Sequence, residues 1–193
     1  MLVFRDNSTL QNHLKNLKNN NKIIGFVPTL GALHKGHLSL VKKSISQNDS
    51  TVVSIFINPT QFNNVDDLKT YPSDINKDLE LLRSISDKII VFNPESDELY
   101  AGDIKPDQFN FNELDRYMEG EFRGNHFAGV ATVVSKLFSL IKADYAYFGE
   151  KDFQQLRIIE NLIKEKKFKI KLIRCETIRS EDGLALSSRN NKL

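Results

Sequence analysis

Several residue types and patterns are scarce or absent in this sequence. It contains one cysteine, Cys175, and no tryptophan among 193 residues. A single cysteine excludes a disulfide within the chain, and every apolar run is shorter than the roughly 18 to 20 residues that a membrane span needs. The first residues, MLVFRDNSTLQ, lack the basic start and continuous apolar stretch of a secretory signal. We therefore expect a soluble, cytoplasmic protein with no membrane partner.

The charge is almost balanced. The 27 Lys and Arg residues against 25 Asp and Glu residues give a formal net charge of +2. This excludes the strong basic bias of many nucleic-acid-binding proteins, so we expect a small-molecule ligand and no nucleic acid. Hydrophobic residues make up 40% and charged residues 27% of the chain, which excludes a disordered composition. The length predicts a single domain over residues 1–193.

Short apolar runs alternate with segments of helical periodicity. The runs predict five strands, at 23–29, 51–57, 88–92, 144–148 and 168–174. Leu38, Val41 and Ile45 mark a helix after the first strand, and a later helix is predicted to have Ser73 as its N-cap. This order predicts an α/β fold with a Rossmann-like, doubly wound, mostly parallel sheet of about five strands. The fifth run alternates with lysines, which indicates an edge or near-edge strand.

Four polar segments each follow one of these strands. They are GALHKGH, NPTQF, GEKDFQQ and GLALSSR, at 31–37, 58–62, 149–155 and 183–189. Ligands of parallel α/β sheets bind beyond the carboxyl ends of the strands, where the strand order reverses. The sequence therefore predicts one binding site built from all four segments.

Two histidines lie at the predicted entry of the first helix. The spacing of His34 and His37 lets both rings project to one side, where the free backbone N–H groups of the first turn also face. Such an entry suits a phosphate, and the imidazoles would stabilise charge that develops on it. The alternative is that one histidine caps the helix and the other is solvated. Zinc is disfavoured because no further ligand stands nearby at a suitable spacing. His126 is expected to cap or pack at a helix start.

The other segments supply a cation, amides and hydroxyls. Lys151 follows a strand directly, where it can reach an anion, although a lone lysine in a turn is usually only solvated. Asp152 and Gln155 lie three apart on one helical turn, and Gln61 offers a second amide for orienting a hydroxy acid. Ser187, Ser188 and Arg189 form a loop of the kind that grips phosphate oxygens.

Together these strings closely resemble the pantoate–β-alanine ligase (pantothenate synthetase) family of the HxGH nucleotidylyltransferase superfamily. The matching strings are PTLGALHKGHLSLV, SIFINPTQF, EGEFRGNHFAGVATVVSKLF, FGEKDFQQL and DGLALSSRN. The resemblance implies an ATP-dependent, AMP-forming ligase that joins pantoate to β-alanine through pantoyl adenylate, releasing pyrophosphate. It also implies Mg²⁺ and a homodimer. Family members continue past this chain into a smaller C-terminal domain, which we expect to be absent here.

The resemblance also implies roles for individual residues. The residues expected to take part in catalysis are His34, His37, Lys151, Ser187, Ser188 and Arg189. The residues expected at ATP are Leu30, Gly31, Ala32, Leu33, His34, Lys35, Gly36, His37, Gly149, Glu150, Lys151, Asp152, Ile178, Leu186, Ser187, Ser188 and Arg189. Gln61 and Gln155 are expected to bind pantoate, and Asp78 to contact magnesium, which phosphate oxygens would otherwise hold.

Two other functions remain open from the residues. One is nucleotidyl transfer to a phosphorylated acceptor, which Gln61 and Gln155 disfavour because a phosphate would favour Arg or Lys there. The other is an ATP- and pantoate-binding domain without turnover. The sequence also departs from the family at three places: Leu30 for Met, Ser73 for Arg, and Gly124-Asn125 for Pro-Gly.

Overall fold

The computed structural model describes residues 1–190 and contains one parallel sheet of six strands. The strands are β1 (Leu2–Phe4), β2 (Ile24–Thr29), β3 (Ser50–Ile55), β4 (Ile90–Phe92), β5 (Tyr145–Gly149) and β6 (Lys171–Cys175). Their order across the sheet is β1-β4-β3-β2-β5-β6, so β6 is an edge strand as expected. The α/β prediction is confirmed, with β1 as an additional strand. The last residues of the predicted domain, 191–193, lie outside the described residues.

Within residues 1–190, eight α-helices and two 3₁₀ turns connect the strands. The helices are α1 (Asn7–Asn19), α2 (Lys35–Gln47), α3 (Val65–Lys69), α4 (Ile75–Arg83), α5 (Ser96–Tyr100), α6 (Glu119–Phe122), α7 (His126–Ile141) and α8 (Phe153–Glu165), and the 3₁₀ turns are Pro59–Gln61 and Glu150–Asp152. The N-cap of α4 is Asp74, whose carboxylate accepts a hydrogen bond from Lys77 N at 3.1 Å, so the prediction of Ser73 was wrong by one residue. Among residues 1–190, no helix combines the length and apolarity that crossing a bilayer requires.

Helices cover both faces of the sheet. Successive residues of β2 point to opposite faces, so Phe26 packs in the layer under α1, α7 and α8, whereas Val27 packs in the layer under α2 and α4. Both side chains are fully buried. The central strands are therefore apolar on both faces, which is why their sequences are continuous apolar runs.

The strand order reverses beside β2. From β2 the chain moves to one side through β3 and β4, and it returns to the other side of β2 for β5. Gly25 and Phe26 of β2 lie opposite Tyr145 and Ala146 of β5 in the parallel ladder. The turns that leave these two strands therefore open onto the same crevice, which is the usual ligand position in such sheets.

Candidate active site

A cavity of about 250 Å³ occupies this crevice. Most of the residues predicted for the site line it: Leu30, His34, Gly36, His37, Gln61, Gly149, Lys151, Asp152, Gln155, Ile178, Leu186, Ser187, Ser188 and Arg189. Gly31, Ala32, Leu33, Lys35, Glu150 and Asp78 are not among the lining residues. The four polar segments after the strands thus meet at one cavity, while the backbone of 31–33 serves as its support.

The two histidines form a reciprocal cap at the start of α2. His34 is the N-cap, and its Nδ1 accepts a hydrogen bond from Gly36 N at 3.1 Å. Nδ1 of His37 accepts from His34 N at 3.3 Å, and the two ring centroids are 4.1 Å apart. Backbone N–H groups that a helix entry otherwise leaves unpaired are satisfied here by side chains. Both rings therefore belong to the cap, and both also line the cavity, so that their contact with a phosphate stays a prediction.

This cap fixes the protonation of both rings. Because each Nδ1 accepts from a backbone N–H, the proton of each neutral ring is on Nε2. Burial, followed by the neighbouring His34 and Lys151, lowers the pKa of His37 to about 3. Burial, and then the charge of Lys151, also lowers the pKa of His34 below its ordinary value. Near neutral pH the pair therefore offers two neutral Nε2–H donors.

Asp78 supports the loop that leads into this cap. Its Oδ1 accepts from Leu33 N at 2.7 Å and its Oδ2 from Ala32 N at 3.0 Å. Ala32 has a positive φ of 50°, a strained conformation that these two bonds help to hold. The carboxylate is buried, and burial raises its pKa despite the two backbone donors. Each of its oxygens thus accepts a hydrogen bond from this loop, which gives Asp78 a structural role, and the magnesium contact expected of it stays a prediction.

The cations at the rim of the cavity pair with carboxylates. Lys151 is exposed on the 3₁₀ turn after β5, with its Nζ 3.1 Å from Asp152 Oδ1. Arg189 Nη2 donates to Asp67 Oδ2 at 2.8 Å, and its guanidinium carbon lies 5.5 Å from the centre of the Tyr71 ring. Pairs that are at least partly open to solvent are weak, so a more highly charged anion can replace the carboxylate.

The loop that carries Ser187 and Ser188 is bonded to the segment after β6 and to Tyr71. Leu186 N donates to Ile178 O at 3.0 Å, which closes a small antiparallel turn. The Ser188 hydroxyl lies 3.1 Å from the Tyr71 hydroxyl, and the Ser187 hydroxyl accepts from Arg189 N at 3.2 Å. The segment after α3 therefore holds the loop beside the cavity.

Two glutamine side chains and a group of apolar side chains also line the cavity. Gln61 is buried at the end of its 3₁₀ turn, and Gln155 is half-buried on the first turn of α8. His126 is the first residue of α7, and its Nδ1 donates to Gln61 O at 2.8 Å, so it packs at a helix start as expected. The floor is formed by apolar side chains of α7 and the strands: Phe56, Phe127, Val130, Val133, Val134 and Leu137.

Several polar residues of the cavity were missed from the sequence. They include Tyr71, Glu119 and Arg123, of which the last two form an ion pair at 2.8 Å. Tyr71 follows the short helix α3, and Glu119 and Arg123 belong to the irregular excursion between β4 and α7. Neither segment has a periodic pattern that would have indicated which side chains face inward.

Comparisons with known proteins agree on one family. The model of the pantoate–β-alanine ligase family matches residues 2–193. The chain is 46% identical to a pantothenate synthetase of Flavobacterium psychrophilum and 49% identical to one of Christiangramia forsetii, covering all of this chain and 68% of each relative. A crystal structure of a pantoate–β-alanine ligase from Francisella tularensis, complexed with beta-gamma ATP and β-alanine, matches with a TM-score of 0.94 and 42% identity. That match covers 100% of this chain and 73% of the other.

Proposed function

Since this chain belongs to the pantoate–β-alanine ligase family, we propose that its cavity is the site of the ATP-dependent joining of pantoate to β-alanine. The observation that carries this assignment is the convergence of the two capping histidines, Lys151 and Arg189 with the two glutamines around one cavity. The lining combines groups that can bind phosphate with neutral amides and apolar side chains. A triphosphate and an uncharged, branched hydroxy-acid body need these two environments.

In the first half-reaction, a carboxylate oxygen of pantoate attacks the α-phosphorus of ATP. The bond from that phosphorus to the bridging oxygen breaks, and pyrophosphate leaves with the electron pair. We assign His34 and His37 to the phosphates as neutral Nε2–H donors that strengthen their bonds as negative charge builds up. A carboxylate nucleophile carries no proton to remove, so this step needs no general base. The low pKa of His37 fits a hydrogen-bond donor better than a proton donor.

The cations hold the leaving group in this proposal. Lys151 reaches the phosphates from the turn after β5, and Asp152 lies beside it for the ribose hydroxyls. Arg189 leaves Asp67 to bind the triphosphate, with Ser187 and Ser188 donating from the same loop. Because Arg189 exchanges one anion for another, its binding to phosphate has a small net electrostatic cost.

In the second half-reaction, the amine of β-alanine attacks the acyl carbon of pantoyl adenylate. The acyl carbon–oxygen bond to AMP breaks, and the nitrogen loses a proton as the amide forms. Gln61 and Gln155 orient pantoate for this step, and the apolar floor of α7 receives its two methyl groups. Water must be kept from the adenylate, and the buried floor contributes to that exclusion on one side.

Magnesium enters this proposal only with the nucleotide. Among residues 1–190, no three His, Cys, Asp or Glu side chains are grouped to hold a metal ion, and the Asp78 oxygens are already bonded. We therefore propose that Mg²⁺ is carried by phosphate oxygens of ATP, in line with its tendency to keep its waters.

A homodimer is also proposed, through the excursion between β4 and α7. The other candidate, the edge strand β6, carries exposed Lys171 and Arg174, which disfavour pairing of two copies. The excursion instead exposes large apolar side chains: Tyr117 64%, Met118 64% and Phe122 81%, next to Phe153 at 54%. Large apolar side chains exposed in one short segment are typical of an interface. Phe122→Asp is expected to shift the chain to a monomer in sedimentation equilibrium, and an unchanged mass would exclude this face.

The assignment is tested by product analysis. ATP, pantoate and β-alanine are incubated with the chain, and AMP, ADP and the acyl product are identified by mass spectrometry. We expect AMP and pantothenate in equal amounts, each requiring both organic substrates. AMP formation with a phosphorylated acceptor instead of pantoate would favour nucleotidyl transfer. Binding of ATP and pantoate with neither product nor adenylate would identify a binding domain without turnover.

A further inference from the structure

Asn58 is the centre of a buried hydrogen-bond network behind Gln61. Its side chain is completely buried and precedes the 3₁₀ turn that ends at Gln61. Its Oδ1 accepts from the Tyr100 hydroxyl at 2.5 Å and from the Thr60 hydroxyl at 3.0 Å. Its Nδ2 donates to Gly129 O and to Gln61 Oε1, both at 3.1 Å. Asn58 is not a lining residue of the cavity, but it bonds directly to Gln61, which is one.

The network fixes which end of the Gln61 amide serves the cavity. A backbone carbonyl only accepts, so Gly129 O requires the Nδ2 end of Asn58. The same Nδ2 donates to Gln61, which must therefore present its Oε1 to Asn58. The remaining end of the Gln61 amide is Nε2, a hydrogen-bond donor. Gln61 thus offers a hydrogen-bond donor to the substrate. The orientation of its amide is set, through Asn58, by the backbone carbonyl of Gly129.

Tyr100 supplies the shortest bond in this network. It ends α5, is 3% exposed, and lies outside the cavity lining. Burial raises the pKa of its hydroxyl above the ordinary value, so the group keeps its proton near neutral pH and donates. Its oxygen is also 3.0 Å from the Thr60 hydroxyl. Without the Tyr100 hydroxyl, a buried Asn58 Oδ1 loses its closest donor.

Close packing against α7 leaves the network little room to shift. A Cβ at Gly129 would lie 2.3 Å from Thr60 O and 2.7 Å from the Gln61 Cα. The absence of a side chain there lets the 3₁₀ turn approach the helix closely enough for Gly129 O to reach Asn58. The amide direction of Gln61 therefore depends on three elements: α5, the 3₁₀ turn and α7.

We propose that Tyr100 and Asn58 are positioning residues that hold Gln61 as a hydrogen-bond donor to an acceptor oxygen of pantoate. This inference rests on the proposed function, because it needs pantoate in the cavity beside Gln61. It extends that function to a residue, Tyr100, that touches neither the cavity nor the substrate. It also defines the specificity of this subsite: an oxygen lone pair is accepted there, and a second donor is rejected.

The test separates pantoate recognition from general stability. In pyrophosphate exchange, Tyr100→Phe is expected to raise KM for pantoate about three- to tenfold, the range for one neutral hydrogen bond. KM for ATP should stay within about twofold, because the phosphate side of the cavity makes no contact with this network. The matched control is Ser44→Ala, which removes another buried hydroxyl, bonded to Thr51 at 2.8 Å, that does not line the cavity. It should lower the melting temperature without raising KM for pantoate.

A second variant reverses the polarity of the network. Asn58→Asp is isosteric but presents only acceptors to Gly129 O and Gln61 Oε1, so Gln61 should turn its Nε2 away from the cavity. KM for pantoate should then rise more than in Tyr100→Phe, again with KM for ATP little changed. Isothermal titration with pantoate alone gives the same comparison without turnover.

The outcomes distinguish a failure of the positioning role of Tyr100 and Asn58 from a failure of the proposed function. An unchanged KM and Kd for pantoate in an active Tyr100→Phe variant would overturn the inference and leave the proposed function intact. Equal increases in KM for pantoate and ATP would also overturn it, since they would indicate a general structural defect. A wild-type chain that neither binds pantoate nor catalyses exchange would overturn the proposed function and the inference together.

Discussion

Two regions of the cavity present groups suited to phosphate in opposite ways. At the entry of α2, the imidazoles of His34 and His37 are held by backbone N–H groups and are neutral. At the rim, Lys151 and Arg189 are charged and pair with Asp152 and with Asp67. The first region is fixed by the helix itself, whereas the second is held by exchangeable ion pairs. The chain thus combines uncharged donors held by the backbone with cations held by ion pairs, which we call the mobile cations.

This difference has a physical reason. Two uncompensated positive charges at a buried helix entry would carry a large desolvation cost, so the fixed donors are neutral. The rim is close to solvent, where a cation is well tolerated and a carboxylate is easily displaced. Fixed donors need no reorganisation when charge develops in the transition state, while mobile cations allow pyrophosphate to leave.

The largest expected effect on activity comes from a variant of His34 that keeps its role as the N-cap of α2 but loses its Nε2–H donor. His34→Asn keeps an oxygen that can cap α2 but removes the Nε2–H group. We expect the exchange rate to fall about 100-fold while stability to urea changes little. His34→Ala should lose the same activity and, in addition, about 1 kcal/mol of stability. An Asn variant with nearly full exchange would mean that the histidine acts only as a cap.

A medium effect is expected from pH. Because the pKa of His37 is lowered to about 3 in the folded protein from 6.5, the folded state binds fewer protons than the unfolded state between these values. Stability is therefore fully present above about pH 6.5 and is lost as the pH falls. Unfolding free energy should drop by about 2.5 kcal/mol from this group between pH 7 and pH 4.5. His37→Gln should show a shallower decline in urea titrations, and an identical decline would contradict a neutral, buried ring.

The smallest expected effect concerns the rim. Asp67→Asn removes the carboxylate that competes with phosphate for Arg189. KM for ATP should fall about two- to threefold, and the unfolding free energy should change by less than about 1 kcal/mol. Steady-state kinetics with ATP as the varied substrate measure this change. A large increase in KM would instead mean that Asp67 holds Arg189 in its binding position, so that the rim is as fixed as the helix entry.

The sequence predicts the fixed region better than the mobile one. The central strands and α2 follow from continuous apolar runs and helical spacing, and the strand ends collect the site residues as expected. β1 was missed because three residues, with Leu2 and Val3 exposed, carry too short a pattern. Tyr71 and Arg123 were missed because they lie in irregular segments whose direction only tertiary packing decides.

Side-chain roles that depend on partners far away in the chain could also not be predicted from the sequence. Asp78 lies in the first turn of α4 and resembles a solvent-facing carboxylate, yet it bonds to Ala32 and Leu33, more than forty residues away. In the sequence, Asn58 resembles an ordinary turn residue beside Pro59. Its hydrogen bonds to Tyr100 and Gly129 form only when the elements that carry these residues pack together. Local patterns specify elements, whereas such contacts arise when the elements pack.

The most direct test of the account is pantoate-dependent exchange of labelled pyrophosphate into ATP by this 193-residue chain. It reports adenylation without β-alanine and needs both the fixed donors and the mobile cations. The account predicts exchange that requires pantoate and falls at least about 100-fold in Lys151→Ala, with Lys164→Ala on the distant end of α8 as the matched control. Exchange that is independent of pantoate, or equal in the Lys151 variant, would contradict the assignment of this cavity.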